Sequence, residues 1–250
     1  MVDVADQPAV PTDVADILRQ RIAAAPDDAE TRVTLGNVLL ARSKLRDAEA
    51  AFRAALALAP DHDKAWSGLI ATLTQFGLHQ QAIAEGRRAV AAVPAAIGPR
   101  LQLGIALTRN GDPAGARDVF QRCLAMEPAN VDASIWLSNA FGQQGLYKDA
   151  IKVSRRTIGL VPDDLRPRMQ LASLLTLCAD YPAAERALRD VLAIDAAHAP
   201  AYKNLGDVLA AQRRLPAAIE AAETALALDR SNETYAEHLN RLRARAAARF

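Results

Sequence analysis

Five of the thirteen prolines in this 250-residue chain stand at one fixed spacing. Pro26, Pro60, Pro94, Pro128 and Pro162 follow one another at intervals of 34 residues, in the phrases AAAPDD, ALAPDH, AAVPAA, AMEPAN and GLVPDD. The same step reaches Ala196 in AIDAAH and Arg230 in ALDRSN, so the period outlasts its proline. A period of 20–50 residues constrains a chain more than its length does, because it replaces one globular core with a stack of small units that bury their faces against each other. Other columns keep the same time. Leu recurs at Leu35, Leu69, Leu103, Leu137, Leu171 and Leu205, and Ala at Ala48, Ala82, Ala116, Ala150, Ala184 and Ala218. Four residues past each Leu stand Leu39, Leu73, Leu107, Phe141, Leu175 and Leu209. The chain is thus aligned to itself, without any other sequence.

Each unit reads as two helices. In the first, Val33, Leu35, Gly36 and Leu39 mark one apolar face, and Leu45, Ala48, Phe52, Ala55 and Leu56 mark another, at helical spacings. Composition agrees. Hydrophobic residues are 51% of the chain but aromatics only 4%, so the apolar share is mostly the helix-forming Ala and Leu and not the strand-forming aromatics. Gly77, Gly111 and Gly145 mark turns between the helices of three units. Pro113, Pro182 and Pro216 open second helices, and Pro99, Pro167 and Pro200 open first ones, where a missing N–H costs nothing. Small residues after the constant Leu (Gly36, Gly104, Gly206, with Ile70, Ser138 and Ala172 elsewhere) let the two helices approach the Ala column. Cys123 stands in a column of alanines and reads as a small buried hydrophobe, and Cys178 closes a first helix.

The 34-residue step, the Leu-Gly pair, the Ala column, the aromatic at Phe52 or Phe120 and the closing Pro resemble the tetratricopeptide repeat family. The resemblance covers residues 29–232 as six repeats, 29–62, 63–96, 97–130, 131–164, 165–198 and 199–232. It implies an all-α, right-handed superhelical solenoid whose role is to bind proteins. Two departures stand out: Gly86 and Ser154 replace the large residue of the second helix, which predicts looser or compensated packing, and repeats five and six lack the Pro. Residues 1–12 are acidic and proline-bearing and are expected to be disordered. Residues 13–28 carry the stripe Val14, Ile17, Leu18, Ile22 and Ala25, an N-terminal capping helix, and residues 233–250 carry Tyr235, Leu239, Leu242 and Ala246, a C-terminal one. Arg241, Arg243, Arg245 and Arg249 make that end basic; they read as a solvated cap, with an RNA or acidic-partner patch as the alternative.

Catalytic signals are poor. His62, His79, His198 and His238 form no metal-ligand spacing, and His62 and His198 read as solvated connectors at repeat junctions. Phosphate loops and nucleophile elbows are absent from the sequence. The chain is therefore read as a non-enzyme without cofactor or metal. Thirty basic residues balance 29 acidic ones, so net charge announces no nucleic-acid partner, and no apolar run is long enough to span a membrane. The first sixteen residues carry Asp3, Asp6, Asp13 and Asp16 and no cation, unlike a signal peptide, so a cytoplasmic location is expected.

The resemblance places the ligand groove on the concave wall formed by the first helices. The residue before the constant Leu should face it: Thr34, Gly68, Gln102, Trp136, Gln170 and Asn204, then His238. This partial amide line is similar to the concave ladder of protein O-linked N-acetylglucosamine transferases, which holds an extended peptide by its backbone. An amide suits that task because it offers both a donor and an acceptor. One residue earlier, Leu101, Ile135, Met169 and Lys203 form a second line that could receive an amphipathic helix or simply pack between repeats. The candidate groove is thus Leu101, Gln102, Ile105, Ile135, Trp136, Asn139, Met169, Gln170, Lys203 and Asn204. A carboxylate clamp of the kind that adapts chaperone tails is disfavoured, because Val33, Asn37, Gly68, Gly98 and Gln102 supply no cation. The expected function is a scaffold or adaptor for a peptide or helical segment. The alternatives are the substrate-recruiting part of a protein-modifying enzyme, such as a protein O-glycosyltransferase, and a nucleic-acid binder. Self-association through the repeat ends stays open.

Overall fold

The computed structural model describes residues 13–247, and among these there are fourteen helices and no strand. The expected disorder of residues 1–12, and Arg249, lie outside the described residues. First helices are α2 (Ala29–Ala41), α4 (Asp63–Gln75), α6 (Ile97–Arg109), α8 (Val131–Gln143), α10 (Leu165–Leu177), α12 (Ala199–Ala211) and α14 (Glu233–Ala247). Second helices are α1 (Val14–Ala24), α3 (Leu45–Leu58), α5 (His79–Ala92), α7 (Pro113–Met126), α9 (Tyr147–Leu160), α11 (Tyr181–Ile194) and α13 (Leu215–Leu228). From α2 onward, both series begin at intervals of 34 residues, as 29, 63 and 97 or 45, 79 and 113 show.

Two backbone devices enforce that interval. The six first helices from α2 to α12 each end with a left-handed residue: Gly77, Gly111 and Gly145, but also Ser43 (φ 57°), Ala179 (φ 57°) and Arg213 (φ 64°). The next N–H then donates back to the helix's orphaned carbonyl, as Lys44 to Leu39, Leu78 to Leu73 and Arg214 to Leu209, each at 2.9 Å. Only glycine takes this conformation freely, which is why the sequence marked three of the six turns. α1, α3, α5, α9, α11 and α13 each end on a non-helical residue just before the proline position (φ −129° to −138°, ψ 68° to 93°), and a proline keeps its predecessor out of the α conformation. Ala59 (φ −135°, ψ 88°) precedes Pro60 in this way. Asp195 (φ −131°, ψ 93°) adopts the same conformation before Ala196. The turn is therefore set by packing, and proline only suits it.

Two residues past the proline position come the caps of the next first helix. Asp28, Asn130 and Asp164 accept backbone N–H groups, and so do the Nδ1 atoms of His62 and His198. The two histidines are thus half-buried helix caps and not solvated connectors. The proline carbonyl is also used: Trp66 Nε1 donates to Pro60 O at 2.8 Å, Arg100 Nη2 to Pro94 O at 2.9 Å, and Arg168 to Pro162 O.

The chain divides into two compact units, Met1–Cys123 and Leu124–Phe250. Each is a stack of antiparallel helix pairs, the all-α solenoid arrangement. In the first unit α2 pairs with α3 and α4 with α5, and α1, α3 and α5 also meet the next first helix; in the second unit α8 pairs with α9, α10 with α11 and α12 with α13, and α9, α11 and α13 also meet the next first helix. All six residues of the Ala column are 0% exposed. Phe52 is the knob of the first pair. A Cβ added at Gly36 would lie 2.7 Å from its ring, and one at Gly68 would lie 2.3 Å away. Phe120 covers Gly104 in the same manner.

The two departures are compensated differently. Where Gly86 replaces the large residue, Ile70 fills the small column, fully buried, and Leu103 of α6 covers the glycine. Where Ser154 replaces it, Ser138 faces it at 3.3 Å and Ser134 meets Thr157 at 2.6 Å, so buried hydroxyls bridge α8 and α9. Cys123 is buried, and Cys178 is exposed at the end of α10. Among the described residues, no helix is long and apolar enough to cross a membrane.

Two variants test this account in a urea titration. Leu137, buried in α8, should cost about 2–5 kcal/mol when cut to Ala, the range for a packed core Leu. Ala196→Pro should instead stabilise by about 0.4–1 kcal/mol, since the backbone before it already has the geometry of Ala59 and the unfolded chain loses freedom.

Candidate functional site

The second unit carries a wetted wall along its first helices. A cleft of about 390 Å³ lies between α8 and α10, lined among others by Trp136, Asn139, Gln143, Tyr147, Gln170 and Leu177. A further cleft of about 250 Å³ lies between α10 and α12, lined by Thr176, Asn204 and Asp207 among others. The two share Ser173 and Leu177, so they run on from one another. Helix spacing explains the lining: Asn139, Ser173 and Asp207 each stand three residues past Trp136, Gln170 and Asn204, one turn along the same face.

The structure brings four of the ten sequence-derived residues to this wall: Trp136, Asn139 and Gln170 in the first cleft and Asn204 in the second. Three do not line it although they belong to the same unit. Met169 packs against the core shared by α10 to α14. Ile135 is half-buried, and Lys203 is tied to Asp207 at 2.7 Å. Leu101, Gln102 and Ile105 lie half-buried on α6 of the first unit. Two members of the longer line depart from expectation. Gly68 is buried beneath Phe52 and is a packing residue, and His238 is 2% exposed. Thr34 turns its hydroxyl back to the carbonyl of Glu30.

Sequence reasoning missed Gln143, Tyr147, Ser173, Leu177 and Asp207. Leu177 carried a signal: it is apolar yet belongs to no core column, and it is 69% exposed.

The amides are not idle in the free protein. Gln170 Nε2 donates to Asn139 Oδ1 at 2.8 Å, from one repeat to the previous one. That bond leaves an amide carbonyl on Gln170 and an NH2 group on Asn139 for a ligand, a donor and an acceptor side by side. The same 31-residue step recurs where His238 Nε2 meets Asp207 Oδ1 at 2.8 Å. His238 also fills the space over Gly206, 3.0 Å from where a Cβ would be, and so closes the unit against α14. Burial would raise the Asp207 pKa, but hydrogen bonds from His238 and Lys203 and their charges hold it below the ordinary value of 3.8.

A depressed carboxylate contributes stability above its unfolded pKa and loses it as pH falls through the folded value. Asp207→Asn should therefore lower the thermal midpoint at pH 5, with a loss of about 0.2–1 kcal/mol because the pair is part exposed. The gap to the parent protein should close as the pH drops below 3.8. A gap unchanged at pH 2 would mean that the pair does not carry the effect.

Three comparisons bear on this architecture. The family model described as Tetratricopeptide repeat matches residues 33–97, 101–164 and 179–233, well over half of the chain. A search of curated proteins finds no match. Among solved structures, a chain of the APC/C hetero-tetramer Cut9-Hcn1 superposes with a TM-score of 0.66 at 20% identity, over 92% of this chain and 46% of that one. This chain thus spans under half of that chain's length. A tetratricopeptide repeat protein from Parabacteroides merdae gives a TM-score of 0.66 at 16% identity, over 91% and 90% of the two chains. MamA 41-end from Desulfovibrio magneticus gives 0.57 at 20% identity, over 68% and 96%. At these identities the likeness is one of fold.

Proposed function

This chain belongs to the tetratricopeptide repeat family, and from that premise we propose that it is a scaffold or adaptor that holds a peptide segment of a partner protein along α8, α10 and α12. Residues 29–232 are then six repeats, flanked in sequence by α1 and α14. The observation that carries the reading is the wall itself. Trp136, Asn139, Gln170 and Leu177 are outside the repeat's packing columns, yet they converge on one cleft. The neighbouring amides match the alternating donors and acceptors of an extended backbone. Trp136 and the exposed Leu177 add apolar surface for one or two side chains. An aromatic in a desolvated cleft is the usual kind of binding anchor. That a chain of the same fold is assembled with a second protein in the Cut9-Hcn1 hetero-tetramer is in keeping with it.

The test starts from peptides selected by the full chain from a random displayed library and measured by fluorescence anisotropy. Asn139→Ala with Gln170→Ala should weaken the selected peptide about 5- to 150-fold, from two hydrogen bonds of roughly 0.5–1.5 kcal/mol each. Trp136→Ala should cost over about 2 kcal/mol of binding. The same affinity in both variants, with unchanged circular dichroism, would remove the cleft from the reading.

A further inference from the structure

The second helices carry a feature that neither packing nor the cleft uses. Lys148, Lys152, Arg155 and Arg156 on α9 are all exposed. Their spacing places them on one face, within about 12 Å along the axis at 1.5 Å per residue. None of the four has a carboxylate within ion-pairing distance among the described residues. Several second-helix cations elsewhere are neutralised: Arg53 by Glu49, Arg88 by Glu85, and Arg189 by Glu185. Helix stability does not explain the face either. Lys148 lies in the first turn of α9, where the helix dipole disfavours a positive charge. The position of Lys152 recurs on α11 as Arg186, also exposed.

We propose that this face of α9 docks a short acidic segment of a partner protein, one with three or four carboxylates at the spacing of the four cations. Charge complementarity selects the class, and the surroundings limit its length. Asp149 on α9, Asp190 on α11, and Glu220 and Glu223 on α13 are exposed carboxylates of the same unit. A long polyanion laid over these second helices would meet all of them, whereas a segment short enough to stay on α9 meets the four cations and Asp149 only. The site is separate from the cleft on the first helices, so the two can hold different stretches of one partner.

The experiment uses the full chain and a fluorescein-labelled decaglutamate peptide in about 50 mM salt, where charge attraction between exposed groups is only partly screened. Binding should be measurable by anisotropy. It should weaken about tenfold or more in K148E/K152E/R155E/R156E and by a smaller factor in the corresponding four-Gln variant, which keeps the side chains polar and the helix intact. R241E/R245E, which changes two exposed arginines on α14, should leave it within about twofold. Three results would overturn the proposal: no binding, equal weakening by the α14 variant, or a 20-base-pair DNA duplex or phosphatidylserine vesicle bound more tightly than decaglutamate through the same four residues. A loss confined to the Glu variant, with the Gln variant unchanged, would also count against it.

Discussion

The Phe52 ring lies between two glycines of successive first helices, and the order of the stack depends on such contacts. Gly36 belongs to the same helix pair as Phe52, and Gly68 to the next pair. One side chain therefore sets both the closeness of a hairpin and its distance from its neighbour. A ring this well enclosed leaves no room for a methyl group on either side, and packed interiors do not absorb such an addition. Where the sequence abandons the arrangement, it conserves the volume or replaces it with hydrogen bonds. Ile70 and Leu103 compensate Gly86, and the hydroxyls of Ser134, Ser138, Ser154 and Thr157 satisfy one another between α8 and α9. Unsatisfied, each of those buried hydroxyls would cost about as much as a lost core methyl group or more.

Because the pairs are closed by short turns, the backbone groups at every junction need partners. The left-handed turn residue supplies one by returning an N–H to the first helix, and the cap residue supplies another at the next helix's start. Trp66, Arg100 and Arg168 reach back to proline carbonyls, which ties α4, α6 and α10 to the turns that precede them. With backbone and core settled this way, the outer faces of both helix series are free to vary. On the first helices of the second unit that freedom produces the amide and apolar wall; on α9 it produces an exposed cationic face. The two surfaces differ in kind. The wall offers directional hydrogen bonds in a cleft, while the α9 face offers charge without depth, and its contribution falls as salt rises.

The last helix of the second unit packs by a histidine where the earlier pairs use an aromatic ring or hydroxyls. Gly206 and Ala222 are both small, so their pair would leave a gap. His238 from α14 occupies the space above Gly206 and anchors on Asp207. Beyond it Asn240, Arg241 and Arg245 are exposed, and Arg243 pairs with Glu223.

The sequence by itself determined the period, the two helices per unit, the Leu and Ala columns and the small-for-large exchange, because each is a volume or backbone constraint that recurs in the same place every 34 residues. It marked only three of the six left-handed turns, since Ser43, Ala179 and Arg213 are held in that conformation by the closing hydrogen bond and not by their own preference. Of the cleft it found Trp136, Asn139, Gln170 and Asn204 but not Ser173, Leu177 or Asp207. A line drawn at equal register cannot find them. Gln170 meets Asn139 and His238 meets Asp207 at a step of 31 residues, so this surface is built from one position of a helix and a different position of the next. Gly68 lies under Phe52 and His238 over Gly206, although both share the register of Gln170. Which member of a column meets a neighbour and which meets water was decided by how adjacent helices are rotated and displaced when their side chains interlock, and that arises only once the pairs are stacked.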